Sequence, residues 1–226
     1  MLVHHIHVVV AGAFVALAAP KRQGPAESIV EKAAATYEKT RTSKGTFEQV
    51  ITNPLTGSTV RARGEFEQQR EPAKFAFRFT EPKGDMIVGD GKWLWVYLPS
   101  SQPGQVIKMP MTEGGAGSLD LASRFFDSPK TRYTITDAGA ATVAGKATRA
   151  VILEPKGSGE PFSSAKVWID TADGTLRQFE TTEMSGLKRL VTITSVSPNV
   201  RVNATSFSFT PPKGARIVDQ KALGGR

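Results

Sequence analysis

Between Phe47 and Phe209 the chain is a succession of short runs in which apolar and polar residues alternate, each run bounded by a turn signal. This constrains the fold more than composition does, because a period of two puts every second side chain on one face of a pleated strand. Phe47 and Ile51 share a face of a first strand, Asn53-Pro54-Leu55-Thr56-Gly57 supplies a turn, and Val60, Ala62, Gly64 and Phe66 then alternate with Arg61, Arg63, Glu65 and Glu67. That is a hairpin with one wet face. Phe75, Phe77 and Phe79 alternate with Lys74, Ala76 and Arg78, and Met86-Ile87-Val88 meets Trp93 to Leu98 across Gly89-Asp90-Gly91. Both faces of Trp93 to Leu98 are apolar, so this strand is expected to be covered on both sides. From Thr131 on, strand and turn follow one another through Tyr133 and Ile135, Ala150 to Leu153, Val167 and Ile169, Leu176 to Phe179, Leu190 to Val196, and Phe207 with Phe209.

Two segments carry a helical period instead. Pro25 to about Arg41 places Ile29, Ala33 and Tyr37 at i, i+4 and i+8, with a candidate capping box from Ser28 to Glu31. Ser118 to Phe126, with Leu119, Leu121, Ala122, Phe125 and Phe126, reads as a short covering helix approached through Gly114-Gly115-Ala116-Gly117. Roughly ten or eleven short strands and two or three helical pieces predict a mainly β fold with helices (α+β). The expected architecture is a strongly curved antiparallel sheet or incomplete β-barrel, capped by a helical lid.

The N-terminus points to export. Val8 to Ala19 is an uncharged apolar run, too short for a comfortable membrane span, that ends in small residues before Pro20-Lys21-Arg22. Ala16-Leu17-Ala18 fits the small-x-small cleavage rule, so residues 1–18 read as a signal peptide and 19–226 as a single domain. His4, His5 and His7 all precede that site, and cysteine is absent. A mature chain without either residue has no Ser-His-Asp or Cys-His nucleophile and almost no route to a zinc site. Neither a metal nor a cofactor is expected, nor an N-terminal lipidated cysteine.

A net charge of +8 and a sequence pI near 9.8 favour anionic partners. The cations are dispersed in pairs such as Arg61/Arg63 and Lys188/Arg189, which reads as a solvated mixed face and not a nucleic-acid stripe. Ser185-Gly186-Leu187-Lys188 matches the S-x-x-K pattern of penicillin-recognising enzymes, but that pattern works at a helix start and here falls between strands. Gly89-Asp90-Gly91-Lys92 and Asp173-Gly174 read as turns. The aromatic residues Phe75, Phe77, Phe79, Trp93, Trp95 and Tyr97 concentrate apolar area on neighbouring strands. A packed core and a ligand cavity have the same composition, so both readings stay open on these residues alone.

Several of these segments resemble a known family. Gly45-Thr46-Phe47-Glu48-Gln49 after the helix, Glu71-Pro72 with Lys74-Phe75-Ala76-Phe77, Glu81-Pro82, and Asp90-Gly91-Lys92-Trp93-Leu94-Trp95-Val96-Tyr97 follow one another as in LolA, the periplasmic carrier of outer-membrane lipoproteins. Asp173-Gly174 with Gln178-Phe179, and Phe207-Ser208-Phe209-Thr210-Pro211-Pro212-Lys213-Gly214, resemble the later motifs of that family. The resemblance implies a non-enzymatic periplasmic chaperone whose apolar cavity shields acyl chains. Its implied partners are acylated lipoproteins, an inner-membrane lipoprotein-releasing ABC transporter and, where present, an outer-membrane acceptor, with no nucleic acid and a monomeric state. The cavity candidates are Phe47, Phe66, Phe75, Phe77, Trp93, Trp95, Tyr97, Leu119, Phe125 and Phe126. A general periplasmic lipid-binding or lipoprotein-sensing protein of the same fold is the alternative, and a Ser-Lys hydrolase on Ser185 and Lys188 a remote one.

One position departs from the family pattern. Members commonly carry an Arg directly before the proline corresponding to Pro72, where it is thought to bond the lid; here Glu71 holds that place and Arg70 precedes it. In a regular strand Arg70 would point away from the face of positions 71, 73, 75 and 77. A bulge beside Pro72 would turn Arg70 inward; otherwise Glu71 latches the lid from the wet rim through a cation.

Overall fold

The computed structural model describes residues 24–111 and 121–219, so the signal-peptide reading of 1–18 and the cavity candidate Leu119 lie outside the described residues. Among the described residues, helix α1 (Pro25–Lys39) is followed by β1 (Thr42–Thr52), β2 (Thr59–Gln69), β3 (Lys74–Glu81), β4 (Met86–Gly89), β5 (Trp93–Tyr97) and β6 (Gln105–Pro110). Two short helices, α2 (Leu121–Phe126) and α3 (Pro129–Arg132), lead to β7 (Tyr133–Val143), β8 (Lys146–Pro155), β9 (Phe162–Asp170), β10 (Leu176–Glu183) and β11 (Lys188–Pro198). A 3-10 turn at Ala204–Phe207 and a last strand, β12 (Arg216–Asp219), follow.

All twelve strands form one sheet in the order β12-β6-β5-β4-β3-β2-β1-β11-β10-β9-β8-β7. Every neighbouring pair is antiparallel except β12, which runs parallel to β6. β12 and β7 are the two edges, so the ladder does not close and the molecule is an open sheet, not a complete β-barrel. The alternation pattern does not predict two of these strands. β6 and β12 are short and lack clean alternation, with burial patterns that never return to a buried face at every second residue. Conversely, Phe207 and Phe209 are not a strand: Phe207 ends the 3-10 turn, and both rings dock on the outside of the sheet.

α1 starts at Gly24 with Pro25 at its first position and no side-chain cap. The Ser28 N–H already donates to the Gly24 carbonyl at 3.1 Å, so Ser28 lies inside the helix and the expected capping box is not formed. Ile29, Val30 and Ala33 are the buried stripe. They pack with Phe125 and Phe126 of α2 and with Leu153, Val167, Ile169 and Phe179 of β8 to β10 in the main core. At about 1.5–3 kcal/mol per fully buried large apolar side chain, this contact is what holds the helix on the sheet.

β5 is expected to be covered on both faces, and a segment from outside the sheet covers the outer one. Leu94 packs with Phe75, Phe77, Ile87 and Val96 on the inner side, while Trp95 packs with Ala76, Val88, Phe207 and Phe209 on the outer side. The outer cover is the segment around Phe207 and Phe209, not the helix expected from Ser118 to Phe126. On β1, a Cβ at Gly45 would stand 2.1 Å from the Ser195 carbonyl and 2.8 Å from the Phe66 ring, so only glycine lets the two strands meet there.

Candidate functional site

A cavity of about 230 Å³ lies between the C-terminal half of α1 and the inner face of the sheet. Its walls are Ala33, Thr36 and Tyr37 of α1, Phe66 and Gln68 of β2, Phe75 of β3, Phe126 of α2, and Ile193 and Val196 of β11. The register explains why. Gly45 faces Phe66, Phe66 faces Phe77 and Gln68 faces Phe75, so alternate residues of β1 to β3 all point inward. Ring contacts then build a second row behind the lining, with Phe77 5.7 Å from Phe75 and Phe47 meeting Phe77 edge-on at 5.7 Å.

The sequence-named aromatics therefore divide. Phe66, Phe75 and Phe126 line the cavity. Phe47 and Phe77 stand in the row behind it. Phe125 belongs to the main core, fully buried against Phe162 and Phe179. Trp93, Trp95 and Tyr97 are a correction. Residues of one strand alternate, and Leu94 and Val96 take the inner face, so these three face outward. Trp95 and Tyr97 meet the Phe209 ring at 5.7 and 5.9 Å, and Lys108 lies 3.9 Å over the Trp93 ring.

Trp95 also donates from Nε1 to Asp90 Oδ2 at 2.9 Å, while Asp90 Oδ1 accepts the backbone N–H groups of Lys92 and Trp93. Burial opposes the Asp90 carboxylate, but these bonds outweigh it and hold the carboxyl below its ordinary range. The Gly89-Asp90-Gly91-Lys92 segment is thus an Asp-stabilised turn.

α1 closes the mouth of the cavity because it is tied on two sides. On one, Lys32 Nζ donates to the carbonyls of Thr171 and Ala172 at 2.6 and 2.8 Å, and Thr36 Oγ1 donates to the Asp173 carbonyl at 2.7 Å. Gly174, at φ +77°, makes that approach possible: a Cβ there would be 2.8 Å from Thr36 Oγ1 and 2.9 Å from the Lys32 carbonyl. On the other, Arg70 Nη1 donates to the Glu38 carbonyl at 2.7 Å and the Tyr37 carbonyl at 3.3 Å, with its guanidinium 4.8 Å over the Tyr37 ring. A cation at the C-terminal carbonyls of a helix also meets the negative end of its dipole.

Arg70 reaches α1 for a different reason from the one the sequence offers. β2 ends at Gln69 and the β2–β3 pairing runs regularly from Gly64 to Gln69, its one irregularity falling between Arg63 and Gly64. No bulge stands beside Pro72; Arg70 follows Phe66 and Gln68 at every second position, and its N–H still donates to the Arg41 carbonyl at 2.9 Å, so the alternation of β2 carried one residue on turns it inward. Glu71 is exposed and is not part of the cavity wall, but it pairs at 2.9 Å with Arg41, which lines the cavity.

A second set of ties anchors the short helices. Glu160, from the β8–β9 loop, accepts from Arg124 of α2 at 3.1 Å and from Arg132 of α3, and Tyr133 donates to the Arg124 carbonyl at 3.0 Å. Burial raises the Glu160 carboxyl, but the two guanidinium partners outweigh it and hold it below its ordinary value; the Tyr133 hydroxyl is pushed far up, first by burial. Sequence reasoning does not find Glu160, Lys32 or Thr36, which are polar residues outside any motif. Ser185 and Lys188 sit in the β10–β11 turn and at the start of β11, both exposed.

The family model of the outer membrane lipoprotein carrier protein LolA matches residues 38–210. The chain belongs to the LolA family. Among relatives, it is 27% identical over 183 residues to an outer-membrane lipoprotein carrier protein of Dechloromonas aromatica (strain RCB), covering 81% of this chain and 84% of that one. A Serratia proteamaculans (strain 568) protein of the same description is 26% identical over the same shares of the two chains. A crystal structure of an uncharacterised conserved protein from Thermus thermophilus shares the fold with a TM-score of 0.54 and 12% identity, covering 87% of this chain and 99% of the other. The LolA-family match ends at residue 210, so β12 lies beyond it.

Proposed function

We propose that this protein is a periplasmic chaperone that takes up the acyl chains of lipoproteins released from the inner membrane and carries them to the outer membrane. The observation that carries the reading is an apolar cavity, walled by Phe66, Phe75 and Phe126, beneath a helix tied down at its end by Arg70, in a chain of the LolA family. Leaving one long acyl chain in water costs on the order of 10 kcal/mol, at about 0.8 kcal/mol per methylene, so a sheltering wall removes the barrier to crossing an aqueous space. The cavity of about 230 Å³ is smaller than the roughly 300–1,000 Å³ of usual ligand clefts. Loading therefore requires α1 to lift, which breaks the Arg70 bonds to the Tyr37 and Glu38 carbonyls at the C-terminal end of the helix. The carrier itself catalyses nothing in this reading. An inner-membrane ABC transporter supplies the cargo and an outer-membrane acceptor receives it.

Mass spectrometry of gently purified periplasmic protein tests this. Co-purified acylated protein is the expected result; free lipid alone would make it a general lipid shuttle, and neither would defeat the reading. N-terminal sequencing of the same sample should begin at Ala19 or within a few residues, and an intact Met1 in that fraction would remove the export argument.

A further inference from the structure

Four large hydrophobic side chains stand out as strongly exposed among the described residues, and three of them share one corner of the molecule. Leu55, 88% exposed, is in the β1–β2 turn, Val60, 62% exposed, is the second residue of β2, and Met184, 76% exposed, is in the β10–β11 turn. The strand order β2-β1-β11-β10 sets the two hairpins side by side, and Thr52 pairs with both Thr59 and Lys188 at their shared base. An isolated exposed Leu needs no explanation, but such side chains on neighbouring tips form a patch. Charge frames it. Arg61 and Lys188, both exposed, flank the apolar tips and have no ion-pair partner among the described residues. Two nearby acids are already used, Glu81 by Arg63 and Glu183 by Arg189 at 3.1 Å, while Glu48 and Glu180 stand farther from the tips along β1 and β10.

We infer that these two hairpin tips dock the protein on an anionic phospholipid bilayer, Leu55, Val60 and Met184 entering the interfacial layer while Arg61 and Lys188 meet headgroup phosphates. Apolar tips ringed by unmatched cations are complementary to a surface that is negative outside and apolar beneath. The contact is small and reversible, since stable anchoring takes more apolar burial than a few side chains supply. It also leaves the cavity free. The cavity wall uses Thr42 and Ser43 at the start of β1, whereas the tip follows Thr52 at its end, roughly 30 Å away along the strand. The inference rests on the tips and not on the carrier reading.

The test is flotation of the purified protein with vesicles of phosphatidylethanolamine and phosphatidylglycerol, against vesicles of phosphatidylcholine alone. The parent should float with the anionic vesicles only, and added salt should weaken that binding. Leu55→Ser with Met184→Ser should lower the bound fraction on the order of tenfold, and Arg61→Gln with Lys188→Gln by a comparable factor. Both pairs of positions are exposed, so thermal unfolding should match the parent. Binding of an apolar dye in the cavity should also be unchanged, which separates failure of the docking inference from failure of the carrier reading. A parent that does not float, or a Leu55→Ser/Met184→Ser variant that floats like the parent, overturns the inference.

Discussion

The two halves of the sheet follow the same alternation and end in different states. From β7 to β11 the inner face meets α1 and α2, and Val151, Leu153, Val167, Ile169 and Phe179 are buried in one continuous core. From β3 to β6, no helix among the described residues is seated on the inner face in the same way. Phe75 and Leu94 are buried there, but Phe77, Ile87, Val96, Met109 and Met111 around them are only partly covered. The difference shows that strand periodicity assigns a residue to a face, while the landing site of a helix decides whether that face becomes core or cavity wall.

The sharpest way to break this comparison is Phe125→Ala. In the filled half it should cost about 3–5 kcal/mol of unfolding free energy, with dye binding per folded molecule unchanged. A loss under about 1 kcal/mol by chemical denaturation would mean that half is no better packed than the other.

Glu160→Gln comes next, because it leaves the buried Arg124 without its carboxylate. We expect a loss of about 2–3 kcal/mol. The same residue sets an acid dependence. Its folded carboxyl lies below the ordinary value of 4.5, so its stabilisation is complete above that pH and is lost as the pH falls through the depressed folded value. Acid titration of the parent should show this loss, and Glu160→Gln should flatten it.

Phe75→Ala against Trp95→Ala separates the two faces of the sparse half. Each should cost less than the roughly 3–5 kcal/mol of a filled core site. Only Phe75→Ala should weaken an apolar dye, on the order of tenfold. Equal dye loss in both variants would return Trp95 to the cavity.

The smallest effect is at the tie of α1. Arg70→Leu should cost about 1 kcal/mol and speed ligand exchange, whereas Glu71→Leu, removing an exposed ion pair, should stay within about 0.5 kcal/mol and leave exchange as it was. Stopped-flow release of dye reads both; faster release from Glu71→Leu alone would move the latch to the acid.

Part of the cavity is legible in the alternation pattern alone. Phe66 and Phe75 sit in strands with one apolar face, so their parity turns them inward, and Phe126 falls on a helix that has to cover something. Trp93, Trp95 and Tyr97 are not legible in this way, because both faces of β5 are apolar and parity cannot say which is inner. Arg70 is misread for another reason: it keeps the parity of Phe66 and Gln68 in β2, and counting from β3 across the turn at Pro72 assigns it to the wrong face.

By itself the sequence determined the strands with clear alternation, the turns at Asp90 and Asp173, the amphipathic α1 and the family motifs, all of which depend on neighbours within a few residues. Tertiary structure decided the rest. Pairing of β6 with β12, docking of Phe207 and Phe209 on the outer face, closure of the mouth by Lys32, Thr36 and Arg70, and burial of Glu160 between two arginines each join residues distant in the chain. Such contacts form only after the sheet has curved and brought its rims within reach of one helix, and no local period records that geometry.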